Sequence, residues 1–290
     1  MATFPRTCLT PAAVTVCLNV TALGAEARDF TDEAAAKLKP TRMMAYKKVG
    51  DRELHLRVFD PPNLKPGDKR PCFLSIHGGG WTGLSPRRQY PAAAHFANRG
   101  MVGICIEYRL LKTGSSTVFD CVKDARSAVR YVRSHATELG IDPDKVIVNG
   151  GSAGGHLAAG TALFDGVDEE TDDVSISCAP NALVLFFPVI DTSKEGYGMA
   201  RIGGRWQELS PVHRVKAGVA PTIIFHGTAD AATPFKGAQA FHEAMHDLGN
   251  RCELVPTEEA GHGYLMHNRE QFEEALRKTE EFLASLHLMP

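Results

Sequence analysis

The sequence predicts an α/β fold, a mostly parallel central sheet with helices on both faces. Three observations carry this. Short apolar, strand-like runs alternate with helical patterns from about residue 72 onward. Two segments are amphipathic at helical spacing: Val118, Cys121, Val122, Ala125, Val129 and Val132, and later Phe272, Ala275, Leu276, Thr279, Phe282, Leu283 and Leu286. Finally, four of the strand-like runs are followed at once by glycine-rich or chemically competent segments. In open α/β sheets, sites lie beyond the carboxyl ends of the strands.

The elements follow in order. A short helix is expected near residues 32–38, stopped by Pro40. Residues 46–49 and 53–59, joined through Gly50-Asp51, read as a hairpin. A Pro/Gly/Lys turn region covers 61–71. Strands are then expected at 72–76, 102–107, 146–149, 182–187, 222–225 and 252–255. Gly140 and then Pro143 should end the first amphipathic helix. Of the five cysteines beyond residue 27, Cys72 and Cys105 fall in strand-like runs and Cys121 on the apolar stripe. All three should be buried, and an odd, widely spaced set is no disulfide framework.

The bulk properties exclude several classes. With 290 residues, 43% of them hydrophobic, the chain has the material for one large core. The formal net charge is -2 and no long basic run occurs, so nucleic acid is not an expected partner. No apolar stretch of ~18 residues occurs, so no membrane-spanning helix is expected. Residues 1–25 carry only one charged side chain, Arg6, and Ala25-Glu26-Ala27 fits a small-x-small cleavage site. Residues 1–27 therefore read as an export signal, with 28–290 as one domain of a periplasmic or secreted protein.

The chemistry is concentrated in four places. Gly150-Gly151-Ser152-Ala153-Gly154 lies between a strand-like run and an alanine-rich helical segment. Small residues around a serine suit a crowded strand-to-helix turn that exposes the hydroxyl, and the following helix dipole favours a developing anion. His77-Gly78-Gly79-Gly80-Trp81 lets the backbone approach a substrate, with the N–H groups of Gly79, Gly80 and Ala153 as expected oxyanion donors. A serine hydroxyl needs a base and an orienting carboxylate. His262, in Gly261-His262-Gly263, and Asp230, in Gly227-Thr228-Ala229-Asp230, follow the last two strand-like runs. Asp191, one strand earlier, is the rival acid, and His77 reads as a brace for its loop.

His242-Glu243-Ala244-Met245-His246 matches H-E-x-x-H. However, helical phasing puts Ala240, Phe241, Ala244, Met245 and Leu248 on the apolar face and both histidines toward solvent, so zinc is not expected.

Together these residues resemble the α/β-hydrolase superfamily, and within it the hormone-sensitive-lipase-like carboxylesterases and bacterial acetyl-xylan and feruloyl esterases. The carriers are His77 to Trp81, Glu107-Tyr108-Arg109-Leu110, Asp142-Pro143, Gly150 to His156, Gly227 to Asp230 and Gly261-His262-Gly263. The resemblance implies Ser152, Asp230 and His262 as catalytic residues, an oxyanion hole at Gly79, Gly80 and Ala153, and no metal or cofactor. It implies hydrolysis of short acyl esters through an acyl-enzyme, with acetyl esters on carbohydrate such as xylan in view. The alternative is an amide or peptide hydrolase of the same fold, prolyl-oligopeptidase-like or arylformamidase-like. A hydrolase-fold binding protein is a third reading, although such proteins usually lack a triad member. Gly151 stands where the lipase-like group usually has Asp, and Leu111-Lys112-Thr113 where it has Ala-Pro-Glu. The short N-terminal segment leaves little for a helical cap, which leans toward uncapped carbohydrate-type esterases. Residues 192–219, with Tyr197, Arg201, Arg205 and Trp206, read either as the substrate wall or as a surface excursion that packs its own Trp206. Acyl length, alcohol and oligomeric state stay open.

Overall fold

The computed structural model describes Met1 and residues 29–111 and 116–290. The expected export signal, Met1 aside, and Lys112-Thr113 of the comparison above lie outside the described residues.

Eight strands form one sheet: β1 (Arg42–Val49), β2 (Arg52–Phe59), β3 (Arg70–Ile76), β4 (Val102–Ile106), β5 (Ile141–Gly151), β6 (Ala182–Phe186), β7 (Thr222–Gly227) and β8 (Cys252–Thr257). Their order is β1-β2-β4-β3-β5-β6-β7-β8. β1 and β2 pair antiparallel, β2 joins β4 antiparallel, and every later pairing is parallel. The helices are α1 (Phe30–Ala36), α2 (Tyr90–Asn98), α3 (Val118–Ser134), α4 (Ala136–Leu139), α5 (Ala153–Leu163), α6 (Met199–Ile202), α7 (Phe235–Asp247), α8 (Tyr264–His267) and α9 (Arg269–Ser285).

Two-residue alternation along the strands divides the core. Cys72, Leu74 and Ile76 of β3 point to the face covered by α3, α5 and α7, with Val148, Leu185 and Ile224 beside them. Phe73, Ile147, Val184, Ile223 and Phe225 point to the other face, under α2 and α9. α5 is buried along its whole length, which its Gly and Ala content permits. Parallel strands covered on both faces read as continuous apolar runs, and for that reason they were visible in the sequence.

Several bounds differ from expectation. The α3 helix stops at Ser134, the separate turn α4 follows, and Gly140 caps it in a left-handed conformation (φ 71°). Pro143 then lies inside β5, which starts at Ile141 rather than at residue 146. The first helix begins two residues earlier than expected and ends at Ala36. α2 was not foreseen at all. Leu248 is 46% exposed just past α7, off the apolar face assigned to it, whereas Phe241 and Met245 are buried. Cys72, Cys105 and Cys121 are buried and free, and so is Cys178.

Candidate active site

β5 ends at Gly151 and α5 begins at Ala153, so Ser152 occupies the turn between them. Its backbone is at φ 55°, ψ -122°, a left-handed conformation unusual for a residue with a Cβ. The end of β6 and the loop after it hold it there. The Ser152 N–H donates to Phe186 O at 2.9 Å, and its carbonyl accepts from Val189 N at 3.1 Å. The flanking glycines are required by contact: a Cβ on Gly154 would lie 2.1 Å from Ile76 O, and one on Gly150 would lie 2.2 Å from Gly154 O.

The loops after β7 and β8 bring two more side chains to the same point. His262 Nε2 is 2.9 Å from Ser152 Oγ and accepts its proton in hydrogen bonding, while Nδ1–H donates to Asp230 Oδ2 at 2.8 Å. The acid is itself fixed. Its Oδ1 accepts from the N–H groups of Ala232 (2.9 Å) and Thr233 (2.8 Å), and Oδ2 from Thr233 Oγ1 at 2.9 Å. The buried His226 imidazole lies 3.4 Å from Oδ2 while donating to Thr233 O. Burial by itself would raise the Asp230 pKa, but hydrogen bonds from His226, His262 and the Thr233 N–H outweigh it and hold the carboxyl well below the usual range. Asp230 is therefore an anion that can stabilise a charged His262. The roles of His226 and Thr233 had not been seen in the sequence. Only their nearness to Asp230 in the segment 226–233 hinted at them.

Asp191 stands apart from this line. Its Oδ1 accepts from Ser193 N at 2.8 Å and it borders a neighbouring cavity. His77 is buried, stacks on Tyr108, and donates from Nδ1 to Gly78 O at 2.9 Å. Burial lowers its pKa to about 4, so it is neutral and braces the glycine loop. In that loop the carbonyls take the hydrogen bonds: Gly79 O accepts from Thr82 N and Gly83 N, and Gly80 O from Arg201 Nη1 at 2.7 Å. Gly79 (φ 99°) and Gly80 (φ 58°) are both left-handed. Their N–H groups have no acceptor among the described residues. The N–H of Ala153, as the first residue of α5, has no intrahelical acceptor either.

Ser152 and His262 open into a cavity of about 310 Å³, at the lower end of the ~300–1,000 Å³ usual for small-molecule sites. Its wall is mostly apolar, with Leu84, Phe186, Phe187, Leu265, Met266 and Phe272. Of residues 192–219, only Tyr197 lines it. Arg201 reaches the oxyanion loop instead. Arg205 pairs with Glu208 and covers Phe119, and Trp206 packs edge-on against His213. The segment folds on itself through Thr192, whose N–H donates to Ser210 Oγ at 3.2 Å and whose hydroxyl donates to Trp206 O at 2.9 Å. His246 faces solvent on α7 and His242 is half-buried.

Comparison with known proteins finds esterases. A family model described as BD-FAE matches residues 56–245. Esterase LipQ of Mycobacterium tuberculosis is 28% identical over 218 residues, covering 69% of this chain and 51% of LipQ. Endo-1,4-beta-xylanase B of Butyrivibrio fibrisolvens is 29% identical over 190 residues, 62% of this chain and 30% of that protein. The chain thus spans about half the length, or less, of these curated relatives. Among solved structures, Thermogutta terrifontis esterase 2 phosphoramylated by tabun superposes with a TM-score of 0.82 at 42% identity, covering 86% of this chain and 95% of that one. The same esterase is known with propionate or butyrate bound.

Proposed function

The chain belongs to the BD-FAE family within the α/β-hydrolases, and from that membership we propose that it is a carboxylic ester hydrolase working through an acyl-serine. The observation that carries the reading is the hydrogen-bonded line from Ser152 through His262 to Asp230, set against a glycine loop with free N–H donors. The Ser152 oxygen bonds to the ester carbonyl carbon as His262 Nε2 takes its proton. The carbonyl oxygen becomes an anion received by the N–H groups of Gly79, Gly80 and Ala153. His262 then protonates the departing alkoxide, and the acyl group stays on serine. Water, deprotonated by His262, attacks the acyl carbon and restores Ser152 with release of the acid. Asp230 keeps the Nδ1 proton on His262 and stabilises the imidazolium in both halves.

The apolar cavity supports short acyl groups, as does the propionate- and butyrate-bound esterase 2. We further propose acetyl groups on carbohydrate as a natural ester. The likeness to a xylanase supports this, with an acetyl group inside the cavity and the sugar at its mouth. Export through residues 1–27 belongs to the same proposal, since a polymeric substrate is met outside the cell. The test is hydrolysis of nitrophenyl esters from acetate to decanoate, beside acetylated xylan and a peptide anilide, by wild type and Ser152→Ala. Acetate and xylan activity lost in the variant is expected. Cleavage of the anilide in preference to the esters would overturn the ester reading.

A further inference from the structure

Part of the cavity wall is built by segments the chemistry above does not use: Thr31 of α1, Arg88 and Gln89 of the turn Pro86–Gln89, Ala92 of α2, and Phe272 of α9. Thr31 and Ala92 are 3% and 2% exposed. A guanidinium in an apolar wall needs partners. Arg88 Nη1 makes ion-pair contacts with the α1 segment, to Asp29, the N-cap of α1, and to Asp32 at 3.2 Å.

Three further contacts seat α1. The Phe30 ring meets Phe272 edge-on at 5.5 Å, the Arg269 guanidinium lies over Phe30 at 5.3 Å, and Ala35 is buried with Phe59, Tyr90 and Ala93. The helix is only seven residues long, too short to be stable by itself. Its position therefore depends on these contacts, of which the Arg88 pairs and the Phe30–Phe272 contact lie at the cavity wall.

We propose that α1, pinned by Arg88 to Asp29 and Asp32, is the stop that sets how long an apolar arm of the ester the enzyme accepts. The arm is an unbranched hydrocarbon chain, on the acyl or the alkyl side of the ester. It would run from Ser152 past Leu84 and Phe272 toward Ala92 and end against Thr31 and Arg88. This rests on the esterase reading.

The experiment measures kcat/KM over two series: nitrophenyl esters of lengthening acid, and acetates of lengthening straight-chain alcohol. The double variant Asp29→Ala/Asp32→Ala removes both Arg88 partners and, with Asp29, the cap bonds from Thr31 and Asp32, while every cavity-lining residue stays in place; Asp32→Ala alone weakens the pin and keeps the cap. The decanoate-to-acetate ratio, or the octyl-to-methyl ratio, should rise at least tenfold. A rise in the acyl series alone assigns the cavity to the acid, and a rise in the alkyl series alone assigns it to the alcohol. Ala92→Leu fills the cavity near the same end and should lower the same ratio, which keeps the proposal testable if the double variant does not fold. Unchanged ratios in the double variant overturn the pin, and unchanged ratios in Ala92→Leu overturn the path of the chain. Absence of any ester hydrolysis by wild type would instead overturn the esterase reading.

Discussion

Replacing Gly154 by alanine tests the coupling between the serine turn and the oxyanion loop. The added Cβ would sit 2.1 Å from Ile76 O and 2.6 Å from His77 O. Such contacts do not fall below 3.0 Å, so α5 and the end of β3 must separate by about 0.9 Å. That movement carries the Ala153 N–H away from Gly79 and Gly80. A misplacement of ~1 Å in a reacting site costs on the order of 100-fold in rate. Overpacking in a full core also costs about 1–3 kcal/mol of stability, which lowers Tm by several degrees in a domain of this size. The assay is kcat/KM on nitrophenyl acetate alongside thermal unfolding. Gly204→Ala is the control, because no atom lies within 4 Å of its Cβ position and its φ is not left-handed; neither quantity should change. Gly154→Ala with kcat/KM within threefold of wild type would refute the argument that this contact registers the two halves of the site.

Three further outcomes are expected. Asp230→Asn should lose on the order of 10⁴ in kcat, whereas Asp191→Asn, whose carboxylate caps a turn in a separate cavity, should lose less than threefold; equal losses would reassign the acid. Arg201→Ala removes a charged donor from Gly80 O and should lower kcat about tenfold, from ~1.5 kcal/mol for such a bond, with little change in KM. His77 and His156 are buried, and desolvation lowers each pKa from 6.5 to about 4. The unfolded chain thus binds more protons between these values. Stability conferred by the two neutral imidazoles is full above pH 6.5 and falls as pH drops toward 4, by about 3 kcal/mol each. Urea unfolding across that range should show it, and a flat profile would contradict the buried neutral state.

The inner strands and the four reactive segments were legible because parallel strands covered on both faces are written as apolar runs, with the site at one end of all of them. β5 was read too short because Asp142, Pro143 and Asp144 interrupt its apolar pattern before Val146. The α2 helix escaped because Pro91 and a run of small alanines carry little periodic signal, although Pro at the first turn is compatible with a helix. Residues 192–219 left two readings open, because aromatic and arginine side chains serve ligands and internal packing alike; Tyr197 lines the cavity, whereas Arg205 and Trp206 find partners within the fold. The part of the cavity wall outside the reactive segments was not legible at all. It joins α1, residues 86–92 and Phe272, and no local pattern reports a contact across that distance in the chain.

The central claim is that Ser152 is the nucleophile, and reaction with paraoxon tests it most directly. Inactivation should follow formation of one diethylphosphoryl adduct, with peptide mass spectrometry placing it on Ser152 and none formed in Ser152→Ala. An adduct on another residue that accounts for the lost activity, or inactivation of a Ser152→Ala protein still able to hydrolyse esters, would contradict it.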